Sequence, residues 1–124
     1  RSRLGEGLIH GDAYPGNLLW AHKRAILGDW DEVAFGPREL DLIFTHHGER
    51  FGRSHAEREA FSATYGYDVT TRDGYETLRA IRDLHTLTAH IERSEREGSV
   101  AHAELLHRIS ILRNYNHQAK WHIT

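Results

Sequence analysis

Three polar side chains near the start of the chain have the types and spacing that phosphoryl transfer requires. Asp12 and Asn17 lie five positions apart in a polar loop. Pro15 and Gly16 turn the chain between them, so that both side chains can point into one cleft. Phosphoryl transfer needs an acceptor for the proton of the nucleophile and oxygen ligands for magnesium, held beside the same phosphate. Asp12 and Asn17 supply one of each.

The third side chain is Asp29, which follows an apolar run twelve residues after Asn17. A hairpin of that length returns the chain to the same cleft. Magnesium prefers hard oxygen ligands and usually keeps several waters, so one amide oxygen and one carboxylate suffice beside phosphate oxygens. We therefore predict that Asn17 and Asp29 share one Mg²⁺. Asp31 and Glu32 have no assigned role: they could support the metal site, face the substrate or be solvated.

Short strands are expected to position these residues. Apolar runs at residues 7–10, 17–20 and 25–28 have strand character, and the polar residues 22–24 join the last two. This is too little strand for an independent sheet, so we expect hairpins lying on helices.

After Pro37 the apolar periodicity becomes helical. We predict a helix over residues 39–50, a helix between a capping box at Ser54 and a stop at Gly66, and a helix capped near Asp73 that ends near Gly98. A last helix follows, and residues 114–124 show no period. The long third helix carries an apolar stripe of Leu78, Ile81, Leu84, Leu87 and Ile91.

Composition limits the function classes. The 124 residues suffice for one domain, and 39% hydrophobic with 27% charged residues is ordinary for a globular protein. A net charge of −2 gives no reason to expect nucleic acid or an anionic membrane as a partner. The absence of cysteine excludes disulfides and thiolate metal sites. No apolar run has the length of a membrane span or signal peptide, so we expect a cytoplasmic protein.

The 11 histidines raise the question of a zinc site. His102 and His107 are five positions apart, which on a helix separates them by about 140°. His46 and His47 are adjacent and point apart, and no H-E-x-x-H pattern occurs. We interpret the histidines as surface and packing residues.

Two segments together resemble a known family. Residues 10–12 (His-Gly-Asp) and 15–19 (Pro-Gly-Asn-Leu-Leu) are similar to the catalytic loop of the aminoglycoside phosphotransferase and choline kinase group. Asp29-Trp30, then Gly36-Pro37 and Asp41-Leu42, resembles its metal-binding segment and the helix that follows. The resemblance implies the C-terminal lobe of the protein-kinase-like fold, mainly α with small β-hairpins. Its sharp motifs lie within residues 8–42.

The resemblance also implies a function and roles for residues. The function is Mg²⁺- and ATP-dependent phosphorylation of a hydroxyl on a small molecule. Asp12 would be the catalytic base or orienter, Asn17 and Asp29 the magnesium ligands that hold the nucleotide phosphates, and His10 and Asp41 would brace the loop. The acceptor stays open, because a cationic aminoglycoside would need carboxylates and choline an aromatic box. The side chains at hand are Tyr75, Glu76, Asp83, Glu92 and Trp121.

The N-terminal ATP-binding lobe of such an enzyme has no counterpart here. Residues 1–124 are interpreted as the C-terminal catalytic part alone, since nine residues before His10 cannot hold that lobe and no G-x-G-x-x-G occurs. We expect the isolated chain to be inactive and to pair with the missing lobe or with itself. The alternative is a non-catalytic kinase-like lobe that acts as a binding or self-assembly module.

Overall fold

The computed structural model describes residues 1–123. Four short strands precede four helices, and three 3-10 turns lie at Pro15–Asn17, Gly48–Phe51 and Val69–Thr71. The strands are β1 (Glu6–Ile9), β2 (Leu18–Ala21), β3 (Arg24–Leu27) and β4 (Ala34–Pro37). The helices are α1 (Glu39–His47), α2 (His55–Tyr65), α3 (Tyr75–Glu97) and α4 (Ser99–Arg113). The predicted class, mainly α with small antiparallel strand pairs, is confirmed.

The strands form two separate antiparallel pairs. β2 and β3 make a hairpin whose turn residues, His22 and Lys23, have positive φ angles of 48° and 64°. Two such residues form the tight turn whose twist matches that of the flanking strands. β1 pairs with β4, a strand that the apolar pattern did not predict, so β1 is not part of a hairpin. The three predicted strands appear within one residue of their expected bounds.

The ends of α2 follow from local chemistry. The Ser54 hydroxyl accepts a hydrogen bond from the Glu57 backbone N–H at 3.1 Å, and the Glu57 carboxylate accepts one from the Ser54 N–H at 2.8 Å. This confirms the predicted capping box. Gly66 ends the helix with a φ of 87°, which costs glycine little. α3 starts where expected, but Gly74 occupies the N-cap and no side chain caps the helix, so the predicted cap at Asp73 is wrong.

Only part of the predicted apolar stripe of α3 is buried, since Leu78 packs against the core but most of the stripe does not. Ile81 is 41% exposed, Leu84 is 56% exposed and Ile91 is 41% exposed. The face turned inward instead carries mostly polar side chains: Tyr75, Arg79, Asp83, His90 and Ser94. Buried polar groups need partners, and α1, α4 and the C-terminal segment supply them. Partners far along the chain therefore decide which face of α3 is buried.

The core lies against the middle of α1, and the C-terminal segment packs on the 3-10 turn that follows this helix. Leu42, Ile43, Val69 and Tyr75 form the buried apolar cluster. Residues 114–123 fold back over Arg50, whose Nη1 donates to the carbonyls of Asn116 at 2.6 Å and Ala119 at 3.0 Å. Among residues 1–123 no helix is both long and apolar enough to cross a membrane.

Buried Glu39 ties the start of the chain to α1. Its carboxylate accepts hydrogen bonds from the Ser2 hydroxyl and the Arg3 N–H, both at 2.6 Å, and from the Leu4 N–H at 3.2 Å. Burial raises the pKa of Glu39, but these hydrogen bonds outweigh it and lower the pKa to about 2. The ionised carboxylate therefore fixes residues 2–4, which lead into β1, against the start of α1.

Candidate active site

Asp41, in the first turn of α1, holds the backbone of the loop that contains Asp12. Its Oδ2 accepts the His10 N–H at 2.7 Å, and its Oδ1 accepts the Gly11 N–H at 2.9 Å. Gly11 has a φ of 83° and a Cβ there would lie 2.3 Å from the Glu32 carbonyl oxygen, so the loop needs glycine at this position. The carboxylate thus sets the conformation of the residues immediately before Asp12.

The His10 ring links this loop to the end of the hairpin. The Asp12 N–H donates to His10 Nδ1 at 3.2 Å. Nδ1 is therefore the acceptor, and Nε2 carries the hydrogen that is donated to the Gly28 carbonyl at 2.8 Å. The Trp30 ring packs edge-on against the imidazole, with centroids 4.5 Å apart. Both nitrogens of His10 are engaged in hydrogen bonds, so the ring connects the loop to the end of the hairpin.

Asp12 and Asn17 are in direct contact. Asn17 Nδ2 donates to Asp12 Oδ2 at 3.0 Å and to the Asp12 backbone carbonyl at 2.9 Å. The amide nitrogen therefore turns toward Asp12, and the amide oxygen is left for another partner. An amide oxygen cannot donate a hydrogen bond, so a cation is a suitable partner for it.

The hairpin brings Asp29 back beside Asn17. The Gly28 N–H donates to the Asn17 carbonyl at 2.8 Å, and Asp29 is the next residue. Asp29 is exposed and has a φ of 55°, a left-handed conformation that is uncommon outside glycine and clusters at functional sites. Asn17 and Asp29 thus lie at the same end of one hairpin. An exposed carboxylate and an amide oxygen fit the hard-oxygen preference of Mg²⁺.

Arg82, on α3, contacts Asp12 from the opposite side, and the sequence analysis missed it. Its Nη2 lies 3.3 Å from Asp12 Oδ1, and its guanidinium lies 3.8 Å from the centroid of the Phe44 ring. Burial lowers the pKa of Arg82, while Asp12 acts to raise it. Asn17 and Arg82 together hold both carboxylate oxygens of Asp12. No sequence signal could have indicated Arg82, because helical surfaces are normally charged.

A cavity of about 790 Å³ opens beside the loop that contains Asp12 and Asn17. We call it the loop cavity; its walls include Ala13, Pro15, Leu18, Leu27, Phe44 and Phe61. None of the side chains considered above for acceptor binding lines it: Tyr75, Glu76, Asp83, Glu92 and Trp121. Tyr75 and Trp121 are buried, and Asp83 is buried against Arg50. The side chains that line the loop cavity are therefore different from those that the sequence offered for binding a phosphoryl acceptor.

Four of the 11 histidines are buried, His10, His46, His47 and His90, and the other seven are exposed. Burial lowers the pKa of His46 to about 4 and also lowers the pKa of His47. Among residues 1–123, Glu104, His107 and His122 bring potential metal-ligating atoms within 4.8 Å of one another. Glu104 is already engaged there: it accepts from Arg108 Nε at 2.8 Å and from the His122 N–H at 2.8 Å. Its carboxylate fastens the C-terminal segment to α4.

A comparison with known protein families shows to which family the chain belongs. The model of the phosphotransferase enzyme family matches residues 2–81, more than half of the chain. The chain belongs to the phosphotransferase enzyme family. The match spans Asp12, Asn17, Asp29 and Asp41 and ends one residue before Arg82. No curated protein and no solved structure matched the chain.

Membership in the phosphotransferase enzyme family confirms the resemblance that the motifs of residues 8–42 indicated. The family implies a kinase-like fold, and the small strand pairs followed by helices agree with the C-terminal lobe of that fold. The family also supports phosphotransferase activity in general.

Proposed function

We propose that this member of the phosphotransferase enzyme family transfers a phosphoryl group from Mg²⁺-ATP to a hydroxyl of a small molecule. One observation carries the proposal. The Asp12 carboxylate is held by Asn17 and Arg82 next to the loop cavity, and Asp29 lies at the same end of the hairpin as Asn17. A proton acceptor, two oxygen ligands and a space for an acceptor thus adjoin one another.

In the proposed reaction, Asp12 orients the acceptor hydroxyl and takes its proton. The hydroxyl oxygen forms a bond to the γ-phosphorus as the bond between that phosphorus and the ADP oxygen breaks. Asn17 and Asp29 would hold Mg²⁺, which when bound offsets the negative charge of the phosphates. Arg82 positions Asp12. It cannot itself accept the proton of the hydroxyl, because an arginine side chain stays protonated. His10 and Asp41 keep the loop in the required conformation.

Nucleotide binding is proposed to need a further lobe in addition to residues 1–124. The resemblance places most adenine contacts, the loop over the phosphates and the strand lysine in such a lobe. One carboxylate and one amide oxygen are too few contacts to hold a triphosphate in line for attack. Activity assays therefore use the protein joined to that lobe, and binding assays can use the chain by itself.

Replacing Asp29 with asparagine should raise the magnesium concentration that gives half-maximal activity. Mutation of a residue that hydrogen-bonds to a metal ligand costs about 10–100-fold in metal affinity. Loss of the charge of a ligand itself should cost at least as much. The measurement is a magnesium titration of the initial rate at saturating ATP. Asp73→Asn removes an exposed loop carboxylate elsewhere and should leave the titration unchanged. An unchanged titration for Asp29→Asn would remove Asp29 from the metal site.

A second candidate function is a non-catalytic module that binds a partner or itself. Apolar side chains on both strand pairs favour it. The cross-strand neighbours Leu8 and Phe35 are 69% and 75% exposed, and Leu19 and Ile26 are 62% and 49% exposed. Contiguous exposed apolar surface is typical of a protein-protein interface.

The isolated chain should therefore self-associate through these strand faces. Sedimentation should show an oligomer for the wild type and a monomer for the double variant Leu8→Glu/Phe35→Glu, because charged side chains on the face oppose its burial. Val100→Glu, at an apolar site on α4 that is 68% exposed, is the matched control and should stay oligomeric. A wild-type chain that sediments as a monomer speaks against the module.

A further inference from the structure

The loop cavity has the position and the size for an acceptor. It begins at Ala13, the residue after Asp12, and Arg82 in its wall contacts the Asp12 carboxylate. A hydroxyl bound in the cavity can thus reach Asp12. Its volume of about 790 Å³ lies within the range of about 300–1,000 Å³ that is usual for small-molecule sites.

The acidic side chains of the cavity are already engaged. Among residues 1–123, Asp41 and Glu57 are the carboxylates in its walls. Asp41 accepts the two backbone N–H groups of the catalytic loop, and Glu57 accepts the Ser54 N–H in the capping box. An ammonium group is unfavourable in such a site unless it finds a charged partner. A polycationic acceptor would find no unengaged carboxylate in these walls.

The basic side chains of the cavity are also paired. Arg58 Nη1 lies 3.3 Å from Glu49 Oε1, Arg82 Nη2 lies 3.3 Å from Asp12 Oδ1, and Arg53 Nη1 lies 3.7 Å from Glu57 Oε1. Each of these guanidinium groups has a carboxylate partner, which offsets its attraction for an anionic acceptor. A cationic acceptor would meet three guanidinium groups, one of which covers the face of Phe44. The charges of the cavity therefore favour an uncharged ligand.

Most of the remaining wall is apolar, with uncharged polar groups at a few positions: Tyr14, Thr45, His47, Ser54, Tyr65 and Thr86. Leu18 and Leu27 are cross-strand neighbours on the face of the hairpin that turns to the cavity, and aromatic rings of α1, α2 and the turn after α1 complete it: Phe44, Phe51 and Phe61. We infer that the acceptor is an uncharged, largely apolar alcohol whose hydroxyl reaches Asp12. This inference rests on the proposed function, since it assigns the acceptor of the same site.

Binding of two probes to residues 1–124 tests the inference. The first is 2-naphthalenemethanol, an uncharged aromatic alcohol, and the second is kanamycin, a polycationic polyol. Titration calorimetry without ATP or Mg²⁺ should show binding of the aromatic alcohol and none of kanamycin. Leu18→Glu should weaken binding of the aromatic alcohol by about tenfold or more, because it places an unpaired carboxylate in the apolar wall.

Val100→Glu is the matched control. Val100 lies on α4, is 68% exposed and is not in the walls of the loop cavity, so its replacement should leave binding unchanged. Leu18→Ser, which adds no charge, gives the second variant if Leu18→Glu does not fold. Kanamycin binding tighter than that of the aromatic alcohol, or full binding by both Leu18 variants, would overturn the inference.

The outcomes separate this inference from the proposed function. The binding assay contains no nucleotide, so an enzyme that fails to transfer phosphate leaves the binding result unaffected. Conversely, phosphorylation of a kanamycin hydroxyl, with no binding of the aromatic alcohol, would contradict the assigned acceptor class. It would still support phosphoryl transfer as the function.

Discussion

Replacing Asp12 with alanine should lower the rate of phosphoryl transfer by about 10²–10⁴-fold, the usual contribution of a general base. The variant loses the group that accepts the proton of the acceptor hydroxyl. Its melting temperature should stay nearly unchanged, because the Asp12 side chain is 29% exposed and its pair with Arg82 is partly solvated. A large kinetic loss with a small stability loss distinguishes a catalytic carboxylate from a structural one.

The rate is measured by ADP release with residues 1–124 joined to a nucleotide-binding lobe of the proposed kind, at saturating ATP and acceptor. Asp12→Asn is the more conservative variant, since it keeps the side-chain size but cannot take the proton. Asp73→Ala, which removes an exposed loop carboxylate, should retain wild-type turnover. If either Asp12 variant turned over at the wild-type rate, the role assigned to Asp12 would be wrong.

Replacing Asp83 with alanine should destabilise the protein by about 3–5 kcal/mol, the usual cost of breaking a buried ion pair from one side. Asp83 Oδ2 lies 3.0 Å from Arg50 Nη2, and the two side chains are 3% and 2% exposed. Burial raises the pKa of Asp83, but contacts with His47 and Arg50 outweigh it and hold the pKa below its usual value. The variant would leave the Arg50 guanidinium buried without its counter-ion.

Loss of Asp83 should also loosen the C-terminal segment, because Arg50 binds the carbonyls of Asn116 and Ala119 as well. Urea unfolding gives the free energy, and hydrogen exchange of residues 114–123 reports the segment. Glu97→Ala breaks the exposed pair with Arg93 and should cost only about 0.3–0.5 kcal/mol. A loss for Asp83→Ala no larger than for this control would contradict the assigned ion pair.

Local chemistry let the sequence by itself determine several elements. The capping box joins Ser54 to a residue three positions away, and the turn of the β2–β3 hairpin needs only two residues with positive φ. The loop from Asp12 to Asn17 is equally short, and its residue types by themselves indicate phosphoryl-transfer chemistry. Such features depend on neighbours within a few residues, so their pattern is visible in the chain.

Tertiary structure alone decided which face of α3 is buried and what surrounds Asp12. An apolar stripe normally marks the buried face of a helix. In α3, Asp83 and Arg79 turn inward instead, because Asp83 pairs with Arg50 and Arg79 donates a hydrogen bond to the His117 carbonyl. Arg82 reaches Asp12 across 70 positions of sequence. A buried polar group is stable only beside its partner. Those partners lie far along the chain, so the sequence pattern of α3 could not show them.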